Sequence, residues 1–251
     1  MKVYYITKSC LGLFLSFITL SYFAFTSLAP VQTLEGKIIV IDAGHGGIDP
    51  GANRPGILEK DINLAIALQV KDILKESLCK VILTRDTDVD LSSLCDNEKV
   101  RGRYHRDLNA RLEIIQESDA DLFISIHANV SSRPQRRGIE CYYATQSDSG
   151  KILALSIQQH LSKLAPISHK AEPANFFVLK RNKVPAVLIE VGFITNPEER
   201  VLLQSPEYQK KIADAIVKGI LDYYQNYLFQ SPPVQTDNTH IIQDQESSKF
   251  P

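Results

Sequence analysis

Two histidines and two glutamates are the residues of this chain best placed to do chemistry. His45 sits in Ile-Asp-Ala-Gly-His-Gly-Gly (41–47), and Glu59 in Leu-Glu-Lys-Asp (58–61). His127 lies in Ser-Ile-His-Ala-Asn (125–129), and Glu190 in Leu-Ile-Glu-Val-Gly-Phe (188–193). Three of these four could hold one zinc ion, since two neutral imidazoles and a carboxylate are a common catalytic zinc set. Such a set leaves a fourth position for water, whose pKa zinc lowers toward about 7. A separate carboxylate must then move the proton. Glu190 suits that task because it ends the apolar run Val-Pro-Ala-Val-Leu-Ile (184–189). A charge there is costly unless it is paired, solvated or bound to a metal.

Each residue taken alone also has a plainer reading. His45 could be a turn residue, as the surrounding glycines allow a tight turn. Glu59 could be a first-turn acid that complements a helix dipole. His127 could be a satisfied core histidine, although the C-terminal end of a strand favours a site. Glu190 could belong to a buried ion pair. Asn129, next to His127, is a candidate substrate contact because it can hydrogen-bond a peptide or sugar amide; otherwise it is a left-handed turn residue. Arg181 is a second candidate substrate contact, with a solvated surface position as its alternative. A phosphate loop is excluded, since Gly-His-Gly-Gly matches neither nucleotide-binding glycine pattern.

The elements that must position these residues alternate between strand and helix. Residues 37–42 read as a strand buried on both faces, for Ile-Ile-Val-Ile shows no alternation. Residues 61–78 read as an amphipathic helix, with Ile62, Ala65, Ile66, Ile73 and Leu74 recurring mostly at three and four. Further strands are expected at 81–84, 121–126, 139–144, 178–180 and 186–191. Further helices are expected at 108–117, 150–164 and 208–227. This order predicts a single-domain α/β fold, a mostly parallel sheet flanked by helices on both faces. Residues 86–107 are strongly charged and read as a long surface loop.

Composition sets the wider frame. The chain has 251 residues and a formal net charge of −1, which gives no reason to expect a nucleic-acid partner. It has four cysteines, Cys10, Cys79, Cys95 and Cys141, none in a C-x-x-C pair. Residues 10–29 carry no charge, and a helix of about 20 residues reaches about 30 Å, the thickness of a hydrocarbon core. Lys2 and Lys8 precede this run, so residues 1–36 are expected to be a membrane anchor and linker, with the domain on the outer side. Ser27-Leu28-Ala29 resembles a signal-peptidase site, but Pro30 follows and should hinder cleavage. The catalytic domain is expected over 37–228. The polar segment 229–251, with Pro232-Pro233, reads as a disordered tail.

Several segments carry a resemblance. They are Ile-Asp-Ala-Gly-His-Gly-Gly-x-Asp-Pro-Gly-Ala, Glu-Lys-Asp-x-Asn-Leu, Thr-Arg-Asp-x-Asp, Ser-Ile-His-Ala-Asn and Val-Pro-Ala-Val-Leu-Ile-Glu-Val-Gly-Phe-Ile-Thr-Asn. Together they resemble, in order and over about residues 37–224, the zinc-dependent N-acetylmuramoyl-L-alanine amidases of bacterial cell walls. The resemblance implies that His45, Glu59 and His127 are zinc ligands and that Glu190 is the catalytic glutamate. It implies hydrolysis of the amide between the lactyl group of muramic acid and the first L-alanine of the stem peptide in peptidoglycan. The N-terminal anchor, the absence of wall-binding repeats and the 86–107 segment are similar to the germination-specific subgroup, which acts on spore cortex. A general cell-separation amidase and a non-catalytic, membrane-anchored wall-binding protein are the alternatives. No long autoinhibitory helix is visible, which leaves control to expression, zinc loading or an activator protein.

Overall fold

The computed structural model describes residues 34–165 and 167–230. The expected anchor at 10–29 and almost all of the polar tail lie outside these residues. Among the described residues no helix is long and apolar enough to cross a membrane. Leu34, assigned to a linker from the sequence, is buried and donates its N–H to Ser77 O at 2.8 Å.

The strands are β1 (Ile38–Ala43), β2 (Asn53–Arg54), β3 (Ile57–Leu58), β4 (Lys80–Leu83), β5 (Leu122–Asn129), β6 (Glu140–Tyr143), β7 (Glu172–Pro173) and β8 (Ala186–Phe193). The helices are α1 (Glu59–Leu74), α2 (Arg103–Glu117), α3 (Asp148–Leu161), α4 (Phe177–Lys180), α5 (Pro197–Leu203) and α6 (Pro206–Gln230). A six-stranded sheet runs in the order β4-β1-β5-β8-β6-β7. Its first four strands are mutually parallel, and β6 returns antiparallel to β8. Strands β2 and β3 form a separate hairpin that leads into α1.

The uniform apolarity of the strands follows from burial on both faces. Side chains alternate across a strand, so Ile39 and Ile41 join α1, α3 and α6 in one core while Val40 joins the other. The second core collects Phe123, Ala186 and Leu188 with Leu112 and Ile115 of α2 and Val178 and Leu179 of α4. The same alternation, carried toward the strand ends, puts Asp42, Ser125, His127 and Glu190 on the α2 side. Helices thus cover both faces, as the alternating pattern predicts.

Two sequence expectations need correction. Residues 86–107 are not a free charged loop. They contain a 3₁₀ turn at Ser92–Leu94 and the first turns of α2, and Leu91 and Cys95 are buried against Ala110. Part of the segment is tied to the fold, although most of its residues stay exposed. Glu113 accepts N–H bonds from Asp96 at 2.9 Å and Asn97 at 3.3 Å, and Arg106 Nε donates to Ser92 O at 3.0 Å. Residues 178–180 are not a strand but lie in the short helix α4, closed by Lys180 N–H to Phe176 O at 2.9 Å and Arg181 N–H to Phe177 O at 3.2 Å. α5 was not expected, although Asn196-Pro197-Glu198-Glu199 announces a helix start. Asn196 Oδ1 accepts from the Glu198 and Glu199 N–H groups at 3.0 and 3.1 Å, and Pro197 occupies the first turn. Cys79, Cys95 and Cys141 are all free thiols.

Candidate active site and metal centre

The site lies at the C-terminal ends of β1, β5 and β8, where parallel sheets place their crevices. His45 follows β1 in a left-handed conformation (φ 62°), which is uncommon for a residue with a side chain. Two buried guanidiniums hold this turn. Arg85 donates to Ala43 O at 2.9 Å and Gly44 O at 3.0 Å. Arg111, from α2, donates to Ala43 O and His45 O, both at 3.0 Å. Arg111 is itself paired with the buried carboxylate of Asp42 and, at 2.9 Å, with Asp107. Asp42 also accepts from Thr84 Oγ1 and Ser125 Oγ, each at 2.7 Å.

Glu59 is the first residue of α1, buried beneath both histidines. One of its oxygens, Oε1, lies 3.2 Å from His45 Nε2 and 3.0 Å from His127 Nδ1. The other accepts the Ala52 N–H at 2.7 Å. The two imidazole rings meet edge to face, 4.9 Å between centroids. The ligand atoms of His45, Glu59 and His127 all lie within 4.8 Å of one another, which suits a single metal ion. His45 Nδ1, turned away from this point, meets Asp49 Oδ2 at 2.9 Å. Metal-bound histidines usually carry such a carboxylate on their second nitrogen.

The electrostatics are those of a site built around positive charge. Burial would raise the pKa of Glu59, but hydrogen bonds and charge from His127 and His45 hold it well below the usual carboxylate range. Burial alone would lower His45; Glu59 and then Asp49 overcome it and raise the ring to about 9. Glu190 behaves oppositely. Burial, helped by the charges of Glu59 and Glu140 and opposed by the histidines, lifts its pKa to about 7. Its Oε2 is buried and has no hydrogen-bond partner. A buried carboxylate oxygen left unpaired is costly, and the residue that carries it lines the same cleft as His45, Glu59 and His127. The donor set fits zinc, and the unpaired oxygen fits a group that acts on water or substrate.

This cleft, about 300 Å³, also takes Asn129 into its lining. Asn129 Nδ2 donates to Glu140 Oε2 at 3.1 Å, and its Oδ1 accepts the Val130 N–H at 2.7 Å. Arg181 is not brought to the cleft. It is exposed, with its guanidinium over the ring of Phe177 at 4.6 Å. The residues that sequence reasoning passed over are Asp42, Asp49, Arg85, Arg111 and Glu140. Asp49 lay in the histidine motif itself, and its spacing from His45 was the available signal. Arg85 lay in the Thr-Arg-Asp motif, whereas Arg111 gave no signal, because a periodicity argument assigns charge to the surface.

The arrangement has close counterparts among known proteins. A germination-specific N-acetylmuramoyl-L-alanine amidase of Bacillus subtilis is 40% identical over 196 residues, covering 76% of this chain and 81% of that protein. The amidase AmiA of Escherichia coli is 31% identical, with 75% and 76% covered. Among solved structures, the CwlD amidase of Clostridioides difficile, in complex with the GerS lipoprotein, aligns with a TM-score of 0.71 at 40% identity, covering 76% of this chain and 99% of that one. The catalytic domain of CwlV, an amidase from Bacillus (Paenibacillus) polymyxa, aligns at 0.65 with 32% identity, covering 75% and 98%. Residues 39–222 match the family described as Amidase_3, N-acetylmuramoyl-L-alanine amidase. With its fold and its sequence in agreement, the chain belongs to the Amidase_3 family of N-acetylmuramoyl-L-alanine amidases.

Proposed function

We propose that the protein is a zinc-dependent amidase that cleaves the bond between the lactyl group of N-acetylmuramic acid and L-alanine in peptidoglycan, and that its natural substrate is spore cortex. The observation that carries the hydrolytic reading is Glu190, a carboxylate with one unpartnered oxygen, in the lining of the cleft that His45, Glu59 and His127 share. His45 Nε2, His127 Nδ1 and a Glu59 carboxylate oxygen would hold the ion. When bound, zinc would supply Lewis acidity toward the scissile carbonyl and a more acidic water. Glu190 takes the proton of the attacking water at its carboxylate and later returns it to the departing alanine nitrogen. Asp49 fixes the tautomer and orientation of His45. Asn129, held by Glu140, presents its amide to the substrate.

The cortex assignment is supported by the 40% identity to the germination-specific enzyme of Bacillus subtilis. In this reading residues 1–36 anchor a domain spanning 37–228 to the outer side of a membrane, on the wall side or in the space between forespore membranes. The lipoprotein bound to the Clostridioides difficile relative supports control by an extracytoplasmic partner protein. The 31% identity to AmiA, whose name specifies an N-acetylmuramoyl-L-alanine amidase without a germination role, keeps a general cell-wall or cell-separation amidase as the second reading.

Full-length protein in detergent should release stem peptides with free N-terminal L-alanine from purified peptidoglycan. Mass spectrometry should find these products with zinc and lose them on chelation. Absence of such peptides from a zinc-loaded, partner-supplemented protein would sink the amidase assignment. A deletion strain that keeps normal muramic lactam in its cortex would instead select the cell-separation reading.

A further inference from the structure

Phe176 lines the cleft with 38% of its surface exposed. Single exposed apolar residues are ordinary, but this ring is braced. It meets the ring of Tyr142 edge to face, 5.5 Å between centroids. The Tyr142 hydroxyl donates to Glu140 Oε2 at 2.7 Å. Burial, then Glu140, pushes that phenol above its ordinary pKa, so it remains a donor. Glu140 is itself buried, and Arg136 holds its other oxygen at 2.8 Å. The same Oε2 accepts from Asn129, so one carboxylate fixes both the backing of Phe176 and the amide at the cleft.

The backbone at Phe176 is equally committed. Its carbonyl accepts the N–H groups of Leu179 at 3.1 Å and Lys180 at 2.9 Å, and the Phe177 carbonyl accepts that of Arg181 at 3.2 Å. The segment therefore offers an apolar ring and no free carbonyl at these two residues. An extended peptide recognises a wall by main-chain hydrogen bonds, and the Phe176 carbonyl, with both lone pairs already engaged, offers it none. A pyranose ring has a face of C–H groups that needs only a flat apolar partner. An aromatic ring held in place before binding loses little freedom when the ligand arrives.

Resting on the amidase reading, we propose that Phe176, braced by Tyr142, is the seat of the muramyl pyranose ring. It would thereby hold the glycan on the acyl side of the scissile amide and leave the stem peptide to other walls of the cleft.

The test is direct binding, which needs no turnover. Full-length protein in detergent with zinc is titrated, by calorimetry or ligand-observed NMR, with stem-free oligomers of N-acetylglucosamine and N-acetylmuramic acid, and separately with free stem peptide. Phe176→Ala should weaken glycan binding by roughly tenfold, the upper scale of an aromatic contact, and leave stem-peptide binding within about twofold. Phe176→Trp should restore glycan binding. Unchanged glycan affinity in Phe176→Ala would overturn the proposal, as would a loss confined to the stem peptide, or no glycan binding by the wild-type protein. If glycan binding depends on Phe176 but no peptide is ever released from peptidoglycan, the platform stands and the hydrolytic reading falls.

Discussion

His127 and Glu190 stand directly opposite each other across the parallel pair of β5 and β8. Period-two alternation turns both toward α2, so the register alone brings a histidine of the candidate metal cluster beside the carboxylate proposed to work with it. The sheet continues the pattern, for Glu140 on β6 is the partner of Glu190 on its other side. Glu190 is therefore a half-buried acid flanked by a histidine and a second carboxylate. Glu190→Gln preserves volume and removes only the proton-accepting function. It should bind zinc as the wild type does, measured by metal analysis, while turnover of muropeptides falls by about 10²-fold or more. Turnover at the wild-type rate would remove Glu190 from the mechanism.

Asp49 acts on the cluster through His45. With its oxygen 2.9 Å from Nδ1, it holds the proton on that nitrogen and turns Nε2 toward Glu59 and the candidate ligand point. Loss of such an outer carboxylate typically weakens metal affinity by about 10–100-fold. Asp49→Ala should show that loss in a chelator competition, and Asp49→Asn, whose carbonyl still accepts from Nδ1–H, should recover part of it. Equal zinc affinity in all three proteins would mean that His45 is positioned by its backbone alone.

Much of this was legible in the sequence, for a physical reason. His127 and Glu190 end or follow apolar runs, and a polar residue at the end of a doubly buried strand stands out against its neighbours. The direction of β6 was not legible, because a short strand pattern carries no sign of whether its neighbour runs parallel or antiparallel. The start of α2 was placed at Leu108 because Arg103, Arg106 and Asp107 look solvated, yet Asp107 and Arg111 are buried and pair along one helix face. The two arginines that hold the His45 turn are invisible to a reasoning that sends charge outward. Their partners, main-chain carbonyls of the turn, exist only once the fold has formed.

Two glycines separate the site from the scaffold. A Cβ on Gly44 would lie 2.2 Å from His127 Cε1 and 2.3 Å from its Nε2. His127 can yield only by leaving the ligand cluster, so Gly44→Ala should lose zinc stoichiometry while keeping its circular dichroism. A Cβ on Gly219 would lie 2.5 Å from Ile157 Cα, where α6 crosses α3. Gly219→Ala should therefore cost stability, about 1–3 kcal/mol as overpacking usually does, and bind zinc normally at low temperature. Thermal unfolding and metal content, measured on both variants, should give opposite patterns. Matching losses in both would show that the metal site and the helix packing are one cooperative unit.

The buried pair of Asp42 and Arg111 makes stability depend on acid. Burial alone would raise the Asp42 pKa, but the Arg111 charge and the hydroxyls of Ser125 and Thr84 lower it below the ordinary value. An acid with a depressed folded pKa stabilises fully above its unfolded pKa, about 3.9, and loses that contribution as pH falls through the folded value. The Asp42 contribution should thus be level near neutrality and decline only below about pH 4. Asp42→Asn removes one partner of a buried pair and leaves Arg111 to Asp107, at a cost of about 3–5 kcal/mol near pH 7. Urea unfolding of the two proteins should show this gap at pH 7 and a narrower one below pH 4, where the wild type forfeits the same interaction. A gap that stayed constant with pH would mean that Asp42 does not work through its charge. Arg111→Lys extends the test to the site. An ammonium cannot reach Asp42, Asp107 and the Ala43 and His45 carbonyls together, so this variant should lose zinc affinity as well as stability, because the turn that carries His45 would no longer be held.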